Sequence, residues 1–310
     1  MRHVSNGNKT FFSDGIDMGL RLKFNLVLLL VFAVGFAAVG FSSRQMLQDN
    51  ARDEVLRNAR LMMDTALAVR AYTVEQVKPH LDKQLPDVFL PQTVAAYAAT
   101  ETLNHIQKKY RDIGYKEATL NPTNLRDQAT DWEADIVQQF RHNPTSSELV
   151  SERNGDTGRI LYIAKPIQIS NPACLQCHSV PAAAPASMLK IYGEVNGFGW
   201  KLKEIVGAQV VTVSMDIPIM KADRAFMTFM ASLAAIFLAV LIALNLMLSW
   251  LIVRPIRRMS AAADQVSNGD FEVPEFSDAG RDEIALLGTS FNRMRRSLKK
   301  AMQMLERGNP

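Results

Sequence analysis

Five consecutive residues in the second half of the chain carry its most specific chemistry: Cys174-Leu175-Gln176-Cys177-His178. They contain both cysteines of the 310-residue sequence and one of its five histidines. Two thiols three positions apart, with an imidazole directly after the second, form the attachment spacing of a c-type haem. In that chemistry the thiols add across the porphyrin vinyl groups and the imidazole reaches the iron as the proximal ligand. Three other uses of the same residues compete: a local disulfide, a thioredoxin-like redox pair, and half of a zinc site. The zinc site lacks a second Cys/His pair at ligand spacing, because His3, His80, His105 and His142 are scattered. The redox pair accounts for the thiols, leaves His178 idle, and has no βαβ pattern around it. One covalent haem c per chain is therefore expected, held by Cys174, Cys177 and His178, with His178 as the iron ligand.

The motif needs a compartment, and the hydropathy pattern supplies one. Phe24 to Phe41 is an 18-residue uncharged run and Ala225 to Val253 a 29-residue one; a bilayer core takes about 20 apolar residues. The first run competes with a cleaved signal peptide, since Ala38-Val39-Gly40 offers a small-x-small site. Its length and its 23-residue polar lead favour an uncleaved anchor. Residues 1–23 carry four Lys/Arg against two Asp, residues 254–310 ten basic against eight acidic, and 24–253 balance to zero, which accounts for the whole +4. By the positive-inside rule both termini are cytoplasmic and Ser42 to Arg224 lies outside, in the periplasm of a bacterial inner membrane. The basic excess thus reports topology, and no nucleic-acid partner is expected. The expected boundaries are a tail at 1–23, spans at 24–41 and 225–253, a sensor domain at 42–224, a cytoplasmic domain at 254–306 and a tail at 307–310.

Between the spans, helical periodicity comes first. Met46, Val55, Leu56, Ala59, Met62, Ala66, Val69 and Val77 recur at spacings near 3.6, which predicts a long amphipathic helix from Ser43 to about Leu81. Two prolines in Leu85–Pro91 break it, and a second helix is expected from Thr93 to about Lys109. Asn121-Pro122 and the polar residues around it mark Tyr115–Asn124 as a loop, and Thr130 or Asp131 caps a short helix through Phe140. Glu148–Arg153 and Arg159–Ile169 read as strands joined by a hairpin at Asn154–Gly158. Tyr192 to Trp200 is glycine-rich with three aromatics, a turn that lets backbone approach a ligand closely. Alternation from Val211 to Ile217 predicts a last, half-buried strand running into the second span.

After the second span, Arg254-Pro255-Ile256 opens a helix that Asn268-Gly269-Asp270 stops. Asp282-Glu283 starts another, in which Ile284, Leu287, Phe291, Met294, Leu298, Ala301 and Leu305 hold a coiled-coil seam. The pair resembles a HAMP domain, carried by Arg254-Pro255 and by the DEIxxLxxxFNxM-like run Asp282–Met294. That resemblance implies an all-α parallel coiled coil and a homodimer; a plain dimerisation coil is the competing reading. The segments Val94–Thr100 (VAAYAAT), Tyr115–Asn124 (YKEATLNPTN), Cys174–His178 (CLQCH) and Tyr192–Met215 are similar to a family of bacterial periplasmic c-haem sensor domains with a PAS-like fold. The family implies an α+β module with a single haem in the CxxCH motif, and a redox change or a small gas as its input. It also implies a sixth iron ligand from the helical region before the sheet, a cysteine in one relative. Here the corresponding position falls near Phe89–Leu90, which leaves an open apolar distal side suited to a diatomic gas. His80 and His105 are the alternative distal ligands, followed by Met62 and Met63. Arg70 and Lys116 are candidates for the propionates, with ordinary solvated charge as the competing reading.

The expected function is a membrane-bound receptor that reads haem redox state or a small gas and signals through HAMP to a separate cytoplasmic partner. A membrane-anchored cytochrome that only transfers electrons is the alternative, and a haem-free module for an organic ligand a third. With no nucleotide-binding glycine loop, nucleophile–base set or paired carboxylate site in the sequence, no enzymatic activity is expected.

Overall fold

The computed structural model describes residues 19–155, 158–277 and 280–307. The first 18 residues, His3 among them, the hairpin tip Asp156-Thr157, and 308–310 of the expected tail lie outside the described residues. The chain forms two compact units, one running from Ser42 to Met227 and the other built from the flanking segments up to Phe41 and from Thr228 onward.

The Ser42–Met227 unit opens with the second half of helix α1 (Leu20–Tyr72), followed by a π-turn at Thr73–Val77 and by α2 (Lys78–Leu81). Then come α3 (Ala95–Lys109), strand β1 (Ile113–Thr119), α4 (Asp131–His142), β2 (Leu149–Gly155) and β3 (Gly158–Gln168). The short helices α5 (Leu175–His178) and α6 (Ala186–Tyr192) precede β4 (Ile205–Ser214), after which α7 (Asp216–Leu248) begins. The strands form one antiparallel sheet in the order β1-β4-β3-β2. One face packs Leu161, Ile163, Val211 and Val213 against Val55, Ala59 and Met63 of α1 and Ala99 and Leu103 of α3. The other packs Ala164, Ala208 and Val210 against Ile136, Val137 and Phe140 of α4. This is the expected α+β arrangement, with helices covering both sheet faces.

Two expectations need correcting. Tyr115–Thr119 is strand and not loop: β1 pairs with β4 from Ile113↔Val213 to Thr119↔Gly207, and the loop begins only at Leu120. The strand pattern was hidden because Glu117, on the inward-facing side, is buried while ion-paired, and Lys116 on the opposite side pairs with Glu133. The last strand starts earlier, at Ile205, ends at Ser214, and is buried on both faces along most of its length. It is an inner strand covered by helices on each side, so Gln209 goes inside as well, while Thr212 is only partly buried.

In the other unit, α1 and α7 supply two helices long and apolar enough to cross a membrane. They pair through Phe32 stacked on Phe237, with ring centroids 4.6 Å apart, and through Asn25 and Asn245. Each of those two amides donates to the other's carbonyl, at 3.0 and 2.9 Å. A π-turn at Ser249–Val253 joins α7 to α8 (Arg254–Ser267), where Pro255 occupies the first turn. Gly269 ends α8 with φ +89°, a left-handed conformation that glycine adopts freely. The connector returns Val273, Phe271 and Phe276 to a small core with Ala262, Val266 and Phe291, the last from α9 (Glu283–Arg307). Asn292, 5% exposed, clamps the connector: its amide accepts from Phe276 N at 3.0 Å and donates to Phe276 O at 2.8 Å.

Candidate haem-binding site

The CxxCH segment folds because its flanks stop regular structure on both sides. After β3 ends, Asn171 accepts from Ala173 N through its side chain at 2.9 Å and Pro172 opens a 3-10 turn, which leads into α5 with Cys174 at its N-cap. One helical turn then brings Cys174 and Cys177 to neighbouring positions on one side of α5. Both are free and half-buried. Burial raises the Cys177 thiol above its ordinary pKa, and the Lys78 ammonium works against that. Among the described residues, no three His, Cys, Asp or Glu side chains group where a metal ion could sit between them.

His178 is the most constrained member. Its Nδ1 lies 2.8 Å from the carbonyl oxygen of Gly197 and 3.4 Å from Thr123 Oγ1. A carbonyl only accepts, so Nδ1 carries the proton and Nε2 keeps its lone pair. The ring stacks on Trp200, centroids 4.0 Å apart and planes 14° apart. Burial lowers the imidazole pKa, while the Gly197 hydrogen bond opposes that shift. A neutral, oriented imidazole with one nitrogen tied to a carbonyl and the other free is the arrangement in which histidine ligates a metal. The residues present thus fit a haem iron at Nε2 and vinyl carbons at the two thiols.

The strap that fixes His178 is Gly197-Phe198-Gly199-Trp200. Gly199 N donates to Ser179 O at 2.9 Å and Trp200 N to His178 O at 3.2 Å, so the strap runs beside the end of α5. Asn121 holds it from the loop after β1, accepting from Gly197 N at 3.0 Å and donating to Phe198 O at 3.2 Å. The glycine-rich, aromatic composition of Tyr192–Trp200 pointed to a close backbone approach. The Asn-Pro at 121–122 read only as a breaker, and nothing local to it signals a partner 76 residues away.

The other named residues are spread more widely. His80 is exposed on α2, the element whose Lys78, with neighbouring Asp82, acts electrostatically on Cys177. His105 is exposed on α3 with Nδ1 2.9 Å from Glu101 O, one turn back. Met63 is buried in the core under the sheet and Met62 is packed against it. Phe89 meets Tyr192 edge-on at 5.8 Å. Arg70 and Lys116 are each engaged by an internal carboxylate, Glu117 and Glu133. A further polar group that the sequence did not single out surrounds Asp127, held by Arg126 at 3.6 Å. Burial pushes the Asp127 carboxyl up to about 6, against the pull of Arg126. Tyr192, its phenol raised by burial and by Tyr97, belongs to the same neighbourhood.

Residues 48–214 match the family model described as Tll0287-like, and residues 247–309 match that of the HAMP domain. Among curated proteins, the chain is 34% identical over 108 residues to the heme sensor protein HssS of Staphylococcus aureus, in strains JH9, Newman and USA300 alike. The match takes 35% of this chain and 22% of the relative, so the chain spans about a fifth of those proteins. Among solved structures, it is similar to the cyanobacterial heme-protein Tll0287, at 15% identity and TM-score 0.41, covering 52% of this chain and 94% of that one.

Proposed function

The chain belongs to the Tll0287-like family, whose model matches more than half of it, and from that premise we propose a membrane-bound signalling receptor with one periplasmic c-type haem per chain. Cys174 and Cys177 hold the haem covalently and His178 is its proximal ligand. The observation that carries this is the Nδ1–Gly197 carbonyl bond, which leaves the Nε2 lone pair free on the histidine that directly follows Cys177, while both thiols of the motif are free. The name of the HssS relatives, heme sensor protein, likewise points to haem as the molecule involved. A bound haem supplies an iron whose charge and axial ligation respond to redox state or to a small gas.

The chain's own residues then hold and relay. Trp200 and Gly197 fix the imidazole, and Trp200 leads within five residues into β4. β4 is bonded on both sides, to β1 and β3, and ends two residues before α7. A shift at the strap is thereby passed to a buried strand that feeds the second apolar helix. The HAMP domain behind that helix supports a two-state relay to a cytoplasmic partner and a homodimer. It is also what favours signalling over simple electron transfer, which gives such a domain no work. This reading puts the protein in a bacterial inner membrane with both termini cytoplasmic, and assigns the matched segments input and relay with no catalytic step.

Expression with cytochrome c maturation machinery, followed by a pyridine haemochrome spectrum, tests the cofactor. Wild type should show covalent haem, and Cys174→Ser and Cys177→Ser should lose it; an absent signal in wild type overturns the reading. A spectral shift on adding CO to the reduced protein would support gas access. No shift means a strong internal sixth ligand.

A further inference from the structure

We infer that Asn121 is a positioning residue for His178, acting through the backbone of Gly197 and Phe198. The inference rests on His178 being the proximal ligand. The carboxamide of Asn121 makes two hydrogen bonds, from Gly197 N at 3.0 Å and to Phe198 O at 3.2 Å. These groups flank the Gly197 carbonyl, the acceptor for His178 Nδ1 at 2.8 Å. One side chain thus fixes the peptide that fixes the imidazole.

The surroundings allow the strap little room to move independently. Gly197 has φ +82°, and a methyl group there would fall 2.1 Å from Thr123 Oγ1 and 2.8 Å from Thr123 Cα. The strap is therefore pressed against the same 121–123 loop that carries the carboxamide. Pro122 follows Asn121 and biases it toward extended backbone, which sets the carboxamide's direction. Asn121 itself is exposed, so its removal opens no cavity in the core.

The chemical consequence is specific. An imidazole that donates Nδ1–H to a carbonyl is more electron-rich at Nε2, and a ligand of that kind favours the ferric over the ferrous ion. Partners behind a metal-bound histidine are worth roughly 10–100-fold in metal affinity or activity. If Asn121 is lost, the Gly197 carbonyl drifts, the Nδ1 bond lengthens, and the ferric preference falls. A tenfold fall reads as a rise in reduction potential of about 59 mV for a one-electron couple.

The test uses the full chain, matured with haem and purified in detergent, as wild type, Asn121→Ala and Asn121→Ser. Pyridine haemochrome is read first, then the reduction potential by spectroelectrochemical titration, with thermal melting alongside. The expected result is covalent haem in all three, with the potential raised in both variants. Asn121→Ser keeps a polar, turn-compatible residue before Pro122, so a failure of Asn121→Ala to mature leaves a second variant to read. Covalent haem with an unchanged potential overturns the inference while leaving the proposed cofactor intact, even if melting falls. Absence of covalent haem in wild type overturns the cofactor reading itself, and this inference with it.

Discussion

Arg70 directs Nη1 at both carboxylate oxygens of Glu117, at 2.6 and 2.5 Å, on a carboxylate that is only 3% exposed. Tyr115 adds its hydroxyl to Glu117 Oε1 at 2.7 Å, and burial together with that carboxylate holds the phenol well above its usual pKa. The end of α1 is thereby fastened to edge strand β1 by charge. Removing one member of a buried pair leaves the other uncompensated, which costs more than the pair contributes. Arg70→Met should destabilise the chain by about 3 kcal/mol, and adding Glu117→Gln should recover most of the loss. Urea unfolding followed by near-UV circular dichroism reads both; a loss under about 0.5 kcal/mol would show that solvent already screens the site.

Asp127 gives the sensor unit a pH dependence of definite sign. Its folded carboxyl titrates at about 6, above the ordinary carboxylate value, chiefly through burial. The folded state therefore holds this proton more tightly than the unfolded chain. Its contribution to stability is greatest at low pH and is lost as pH rises from about 4 through 6. Lys116, Arg126 and Glu117 are the charged groups acting on it. Asp127→Asn should remove this slope and raise stability at pH 7 by on the order of 1 kcal/mol, after discounting for partial exposure. Melting temperatures at pH 4.5, 6 and 7.5 for the two proteins check it: parallel curves contradict the assignment.

Within the apolar helices, Asn25 and Asn245 satisfy each other, and Asn245 also donates to Leu241 O at 2.9 Å. Interhelical polar pairs in membranes average about 0.6 kcal/mol and reach about 2. Asn245→Leu should weaken the pairing of α1 with α7 within that range, and Asn25→Leu by a similar amount. The double variant should lose little more than either single one. Unfolding in bicelles measures the cycle, and simple additivity would mean that the two amides act independently.

The HAMP segment leaves Leu287, Met294, Leu298 and Met302 exposed on α9. These residues lie on the apolar seam, or one turn along it, and a proposed second copy would cover them. Met294→Cys, in a chain carrying Cys174→Ser and Cys177→Ser, should cross-link to dimers in membranes, with an exposed control at Arg296→Cys staying monomeric. Equal yields from both positions would argue against a seam at Met294.

The helices were legible in the sequence because they rest on local spacing. CxxCH announces itself in five residues. The apolar periodicity of α1 and the Arg254-Pro255 start of α8 match what the structure contains. The cap of α4 was legible too: Thr130 N donates to Glu133 Oε2 at 2.8 Å. What escaped depends on partners far along the chain. β1 did not look like a strand because Lys116 and Glu117 become tolerable only once Glu133 and Arg70 reach them. The two-sided burial of β4 depends on α4 and α1 arriving over opposite faces. Asn121 read as a turn residue because its carboxamide serves a segment that folds back only through Gly197 and Gly199, both with φ +82°.

The π-turn at Ser249–Val253 has an arithmetic consequence. A wide turn accommodates one residue more than an α-turn, and an α-helix advances about 100° per residue. The side of α7 that meets α1 at Asn245 therefore does not continue onto α8 in simple 3.6-residue phase; it emerges offset by about one residue's rotation. Winding the same residues as an unbroken α-helix would turn the Met259–Ala262–Val266 stripe by that angle, whereas deleting one residue from 249–253 would remove the extra residue and leave the stripe facing nearly the same way. The junction thus works as a phase adjuster, setting which azimuth of the output helix faces its neighbours.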